Sequence, residues 1–245
     1  SFFKPQGEPM KFLSMCKAVA LTALLSMAAL PAMAQSLTTT YATNNNFAGN
    51  TFDLTPSVNM TADSFDVHLS GNAETTVAIY WRPGTSVGFE STSAGWTLLG
   101  TATVTAQGSG NPTPVAIGGL SMTAGQTYGI YVDVQSYPSA SMLYTNGVMP
   151  YTNADLTITP FYGKGNPAFT GSTFSPRTWN GTVYYTKTQT CASEGYTGTK
   201  LEWCKNICER GYTGGTLDMW IRRWIDRYRN LPYCAIAPQP VPTVR

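Results

Sequence analysis

The sequence predicts a mainly β chain: an antiparallel, jelly-roll-like β-sandwich followed by a small cysteine-stapled helical hairpin. Three observations carry this reading. Apolar residues across 35–186 alternate with a period of two, turn-forming residues interrupt that alternation at short intervals, and four of the five cysteines fall after residue 186 beside helix-start signals.

The first element is a leader. Met10 opens MKFLSMCKAVALTALLSMAALPAMA, with Lys11 and Lys17 ahead of an apolar run from Ala18 to Leu30. Ala32-Met33-Ala34 supplies the small-x-small pattern of a signal-peptidase site, so cleavage is expected before Gln35. The run is shorter than the roughly 20 residues that span a bilayer, which argues against a retained anchor. Cys16, preceded by Met15, lies too early for a lipobox. Residues 1–34 therefore read as upstream leader and signal, 35–186 as the sandwich, and 187–245 as the hairpin with a proline-rich tail.

Within the sandwich, Phe65, Val67 and Leu69 alternate with Asp66 and His68, and Val77, Ile79 and Trp81 follow the same rule. Ile130, Val132 and Val134 repeat it. One face of each run belongs to a core and the other to water, as in an antiparallel sheet. On this pattern Trp81 points inward, while Tyr80 and His68 point to solvent. Pro83-Gly84, Gly108–Pro114, Gly118-Gly119, Tyr137-Pro138, Asn146-Gly147 and Asn180-Gly181 mark the turns between eight or nine strands.

The succession TTTYATNNNFAGNTFDL, SFDVHL, VAIYWRPGTSVGFE, GWTLLGTATV, GNPTPVAIGGLSMTAGQTYGIYV, YTNADLTI and STFSPRTWNGTVYYT resembles a bacterial β-sandwich domain of secreted multidomain and PEP-CTERM-type proteins. The resemblance covers 37–186. It implies an exported accessory sandwich and brings no catalytic residue to carry over.

The residues themselves offer little catalytic chemistry. His68 is the one histidine, so any Ser-His-Asp triad or Cys-His pair would have to be built on it. The body has no cysteine, which disfavours a zinc site. Its two glutamates, Glu74 and Glu90, both stand beside turns, so no carboxylate pair for glycoside hydrolysis is apparent. Calcium could use Asp53, Asp63 and Asp155, but no segment has EF-hand spacing. No metal or other cofactor is expected. A binding surface suits the composition better, because aromatic side chains give flat platforms and neighbouring amides or guanidinium groups can meet sugar hydroxyls. The candidate ligand-binding residues are Tyr80, Tyr144, Asn146, Arg177 and Trp179.

The tail differs in charge as well as in pattern. Residues 35–186 carry three basic and seven acidic side chains, whereas 187–245 carry nine and five. Such a split suggests two modules joined near 186–190. GYTGTKLEW and GYTGGTLDMW open two helices, with Thr199 and Glu202 forming a capping box in the first and Thr216 capping the second. Leu217, Trp220, Ile221, Trp224, Ile225 and Tyr228 fall at helical spacing, and Pro232 ends the run. Cys191, Cys204, Cys208 and Cys234 read as two disulfides. Cys204 and Cys208 share a helix face, so each is expected to reach a different partner, Cys191 or Cys234. A metal knuckle is the weaker alternative. The segment faintly resembles small cysteine-containing peptides of temperate phages.

Arg222, Arg223, Arg227 and Arg229 spread over more than one helix face, with Asp226 among them. That distribution suits a solvated surface with a weak attraction to anionic surfaces, and not nucleic-acid binding. The expectation is a secreted, periplasmic or cell-surface protein that touches the membrane only through its signal. It has a non-catalytic binding or display role, with an extracellular glycan or another surface protein as partner. A carbohydrate-binding module assisting an enzyme on another chain is the alternative, and a glycoside hydrolase a third reading.

Overall fold

The structure is a computed structural model that describes residues 34–235. The expected leader, but for Ala34, and the tail beyond residue 235 lie outside the described residues. The described residues belong to one compact unit.

The strands are short, as the spacing of turn residues requires. The first eight are β1 (Gln35–Thr38), β2 (Asn45–Phe47), β3 (Gly49–Pro56), β4 (Met60–His68), β5 (Glu74–Pro83), β6 (Thr97–Thr105), β7 (Pro112–Val115) and β8 (Leu120–Met122). They continue as β9 (Tyr128–Val134), β10 (Met142–Asn146), β11 (Tyr151–Thr152), β12 (Leu156–Lys164), β13 (Thr173–Phe174), β14 (Arg177–Trp179) and β15 (Gly181–Lys187). Two helices follow, α1 (Gly198–Cys208) and α2 (Gly214–Arg227).

The larger sheet has seven strands, ordered β11-β12-β3-β9-β5-β6 with β13 on β12. A five-stranded sheet runs β1-β15-β4-β7 with β8 on β4, and a three-stranded one runs β14-β10-β2. All these strand pairs are antiparallel. Alternation decides which side chains meet between the sheets. Phe52 and Leu54, Phe65 and Val67, Val77 and Ile79, Ile130 and Val132, and Val183 and Tyr185 enter one apolar cluster. Trp81 packs against that cluster from its edge, on the inward side that its spacing requires.

His68 corrects the sequence reading. It does alternate away from the core, yet it is 0% exposed. Tyr41 meets its ring edge-on at 5.4 Å, and the Gly110 N–H donates to Nε2 at 2.7 Å. The outer face of β4 is thus roofed by neighbouring loops and is not wet. Alternation assigns a face; it does not say whether water reaches it.

Beyond β15 a second, smaller cluster gathers Cys191, Cys204, Ile207, Ile221 and Trp224. Disulfides join Cys191 to Cys204 and Cys208 to Cys234, so the two same-face cysteines of α1 do take different partners. The helix starts differ from the sequence reading. Thr197 and Thr213 are the N-caps, neither with a side-chain cap bond, and not Thr199 and Thr216. Gly198 and Gly214 take φ of 54° and 56°, which L-residues rarely adopt, so the chain turns into each helix at the Thr-Gly step. The second helix ends at Arg227, before Pro232. Ile225, expected on the apolar face, is exposed, as are Arg222, Arg223, Arg227 and Arg229.

Candidate functional site

The five sequence-nominated residues divide. Tyr144 and Asn146 on β10 stand opposite Trp179 and Arg177 on β14, so four of them share one small sheet. That sheet does not present a platform: Tyr144 is 1% exposed and Trp179 0%. Trp179 stacks on Phe52 at 4.2 Å and meets Phe65 edge-on at 6.4 Å. Tyr144 and Trp179 are core residues, because β10 and β14 bend their aromatic side chains under the larger sheet. Asn146 is exposed and accepts from Asn45 at 2.8 Å, while Arg177 donates to the Pro176 carbonyl at 2.9 Å. Arg177 also lies against the Tyr144 hydroxyl, partly offsetting the burial that raises its pKa.

Tyr80 belongs to a different cluster, on the outer face of the seven-stranded sheet. Register places Tyr80 of β5 beside Tyr131 of β9, and Tyr131 beside Thr51 of β3. The next row holds Ala78, Asp133, Gly49 and Lys164. Two strand glycines make space above this face. A Cβ on Gly49 would lie 2.9 Å from the Tyr131 ring, and one on Gly129 would lie 2.8 Å from the Ser86 amide nitrogen. The Tyr131 ring and the loop carrying Ser86 therefore settle directly on backbone, a common reason for glycine inside a strand.

Two loops cover the face. Residues 84–96 are tied down by the Ser86 N–H, which donates to Asp53 Oδ1 at 2.8 Å. Within that loop the Trp96 indole N–H donates to the Phe89 carbonyl at 3.0 Å, and the Arg82 guanidinium lies 3.4 Å over the Phe89 ring. Residues 165–172 are held at their base by Lys164, whose Nζ donates to the Gly171 carbonyl at 3.1 Å and to Thr173 Oγ1 at 2.5 Å. Ser91 Oγ and Thr173 Oγ1, 3.3 Å apart, link the two loops.

Four aromatic rings converge between these loops. Phe169 meets Tyr131 at 4.9 Å and Tyr80 at 5.1 Å, and Trp96 lies 6.1 Å from Tyr131 and 6.0 Å from Phe169. Tyr131 and Phe169 are buried, whereas Tyr80 and Trp96 keep half-buried rings at the rim. Phe169 also holds φ at 63°, the left-handed region that L-residues avoid. Backbone strain of this kind concentrates at functional sites, at a cost of about 1–3 kcal/mol.

The floor is polar and under-partnered. Asp133 is 3% exposed, and no salt bridge reaches it among the described residues. Tyr131 donates its hydroxyl to Oδ1 at 3.3 Å. Burial pushes the Asp133 pKa up to about 6, against the lowering effect of that hydroxyl. Thr51 Oγ1 and Ser86 Oγ are buried without partners among the described residues. Burial raises the Tyr80 pKa, against the smaller lowering effect of the exposed Gln135.

Tyr131, Asp133 and Phe169 escaped nomination from sequence. Asp133 and Tyr131 were legible as outward residues of the Ile130-Val132-Val134 run, and Gly49 and Gly129 were the signal that something would press on that face. Phe169 sits in a loop without periodicity and left no such sign.

Two other groupings carry less. Glu74 opens β5, while Glu90 lies close enough to Tyr162 and Lys164 of β12 to shift their titration. The sulfurs of Cys191, Cys204 and Cys208 lie within 4.8 Å of one another, but as disulfides they offer no thiolate to a metal.

No protein-family model matches the chain, and neither does any curated protein. Among solved structures, the chain is similar to the cysteine protease and lectin-like domains of a surface-layer-associated protein of Clostridium difficile. Identity there is 15% and the TM-score 0.38, over 63% of this chain and 36% of that one. A clostridial cysteine protease after propeptide cleavage gives 13% and 0.39, over 63% and 40%. An infectious bursal disease virus structure gives 10% and 0.21, over 80% and 48%. The chain thus spans well under half the length of the first two. None of these TM-scores defines a shared fold.

Proposed function

We propose that this chain is an exported, non-catalytic binding module whose outer-face aromatic cluster takes a neutral saccharide. One observation carries the reading: half-buried Tyr80 and Trp96 rim the buried Asp133 carboxyl group, which no salt bridge reaches among the described residues. Sugar C–H faces pack on aromatic rings, and sugar hydroxyls donate to carboxylates and amides, here Asp133 and Gln135. The burial of His68 under a loop supports binding without hydrolysis. Two disulfides support residence in an oxidising compartment outside the cytoplasm. Among the described residues no helix is long and apolar enough to cross a membrane.

A glycan array probed with the full chain tests this, with hydrolysis assayed on every hit. Binding without turnover is expected, together with a change in tryptophan fluorescence that Trp96→Phe reduces. Turnover of a bound glycan would contradict the non-catalytic part. A second reading, a protein partner, draws on exposed Val87, Phe89 and Leu98 beside the same cluster. A silent array would favour it.

A further inference from the structure

The cysteines of the helical hairpin are placed to do more than brace it. Cys204 and Cys208 stand one turn apart on α1, and their side chains face the same way. Cys208 is bonded to Cys234, yet its sulfur lies within 4.8 Å of both sulfurs of the Cys191–Cys204 bond. Exposure grades across the four: Cys191 and Cys204 are 0% exposed, Cys208 is half-buried and Cys234 is exposed. A disulfide that solvent can reach therefore rests against one that solvent cannot.

We propose that Cys234 is a site of S-thiolation by low-molecular-weight thiols, and that Cys208 relays the exchange into the buried disulfide. In the first step a thiolate RS⁻ attacks Cys234 Sγ. The RS–S bond to Cys234 forms, the Cys208–Cys234 bond breaks, and its electron pair leaves on Cys208 as thiolate. In the second step Cys208 Sγ attacks one sulfur of the Cys191–Cys204 pair. A new disulfide to Cys208 forms, the inner bond breaks, and the displaced sulfur leaves as thiolate and takes a proton from water. One thiol enters and one is released, and the number of disulfides stays at two, so no oxidant or reductant is needed.

The second step gives the modification persistence. A Cys208 thiolate left beside the mixed disulfide would attack it and restore the starting bond, because an intramolecular thiol acts at high effective concentration. Transfer to the inner pair removes that attacker. The sulfur set free lies in the apolar cluster of Ile207, Ile221 and Trp224, where burial favours the unreactive thiol form.

The test uses the full, oxidised protein and one equivalent of reduced glutathione. The reaction is stopped with acid and N-ethylmaleimide, and cysteine states are mapped by peptide mass spectrometry. Glutathione is expected on Cys234 and maleimide on Cys191 or Cys204, with Cys208 in a new disulfide and labelled at least five-fold less than the inner pair. Maleimide on Cys208 with Cys191–Cys204 intact would overturn the relay, and glutathione on Cys208 would overturn the entry point. In the Cys191→Ser/Cys204→Ser variant the Cys234 adduct should reverse at least ten-fold faster. An unchanged lifetime there would also overturn the relay. Should that variant not fold, the wild-type map decides alone.

Discussion

On the inner face of the seven-stranded sheet, Phe52 lies flat on Trp179 with Phe65 edge-on, and none of the three is exposed. On its outer face, Tyr131 and Phe169 also meet closely, but Tyr80 and Trp96 remain half-open and a carboxyl group lies beneath them. The residue types are alike and the physics is not. The inner cluster gains by excluding water from every ring and holds no charge. The outer cluster keeps a buried acid without a basic partner and a strained Phe169 backbone, both of which cost stability. The proposed binding role would give that cost a purpose. Breaking the two clusters separately should therefore have opposite consequences.

Trp179→Ala should be the most damaging change, costing about 3–5 kcal/mol of unfolding free energy through lost burial and a cavity. Chemical denaturation of the variant measures it, and a loss under about 1 kcal/mol would remove Trp179 from the core.

The hairpin comes next. Its cluster holds few buried residues, and losing a disulfide from a small unit typically costs about 2–5 kcal/mol. Full reduction should melt the helical circular-dichroism signal while the β signal keeps its cooperative transition. A chain ending at Lys187, the last residue of β15, should fold alone. Joint collapse of both signals would contradict a two-module organisation.

His68→Ala should cost about 2 kcal/mol, since it strips the Gly110 N–H of its acceptor and empties a filled site. Burial also lowers the His68 pKa. Its contribution is thus fully present above the unfolded value near 6.5 and is lost as pH falls below it, where the unfolded chain takes the proton more readily. The variant should lack that acid-side loss.

Asp133 titrates with the opposite sign. Its folded pKa is raised to about 6, so its contribution is fully present below the unfolded value near 3.8 and is lost as pH rises through 6. Asp133→Asn should accordingly be more stable than the wild type at pH 8, by on the order of 1–3 kcal/mol, with the gap closing below pH 4. A variant less stable at pH 8 would show that the carboxylate is compensated in the fold.

Much of this architecture was legible in the sequence. Alternation in SFDVHLS and in Val77-Ile79-Trp81 names the inward residues, and the cysteine pattern foretells the stapled hairpin. What it could not reveal was the second layer. His68 and Asp133 both alternate outward, and only the folded loops decide that each is roofed. Tyr144 and Trp179 failed as platforms for the converse reason: an aromatic near a turn reads as surface until a small third sheet carries it inward. Trp96 and Phe169 reach the outer cluster through loops whose paths no periodicity encodes.

The central claim is that the outer cluster serves binding and not stability. It is tested most directly by titrating full-length wild type and Trp96→Ala, side by side, with whichever saccharide the array identifies. Denaturation midpoints are recorded on the same samples. The account expects binding to fall at least ten-fold while unfolding free energy changes by less than about 1 kcal/mol, the scale of a partly exposed side chain. Unchanged binding, or a loss that only follows a comparable collapse in stability, would contradict it.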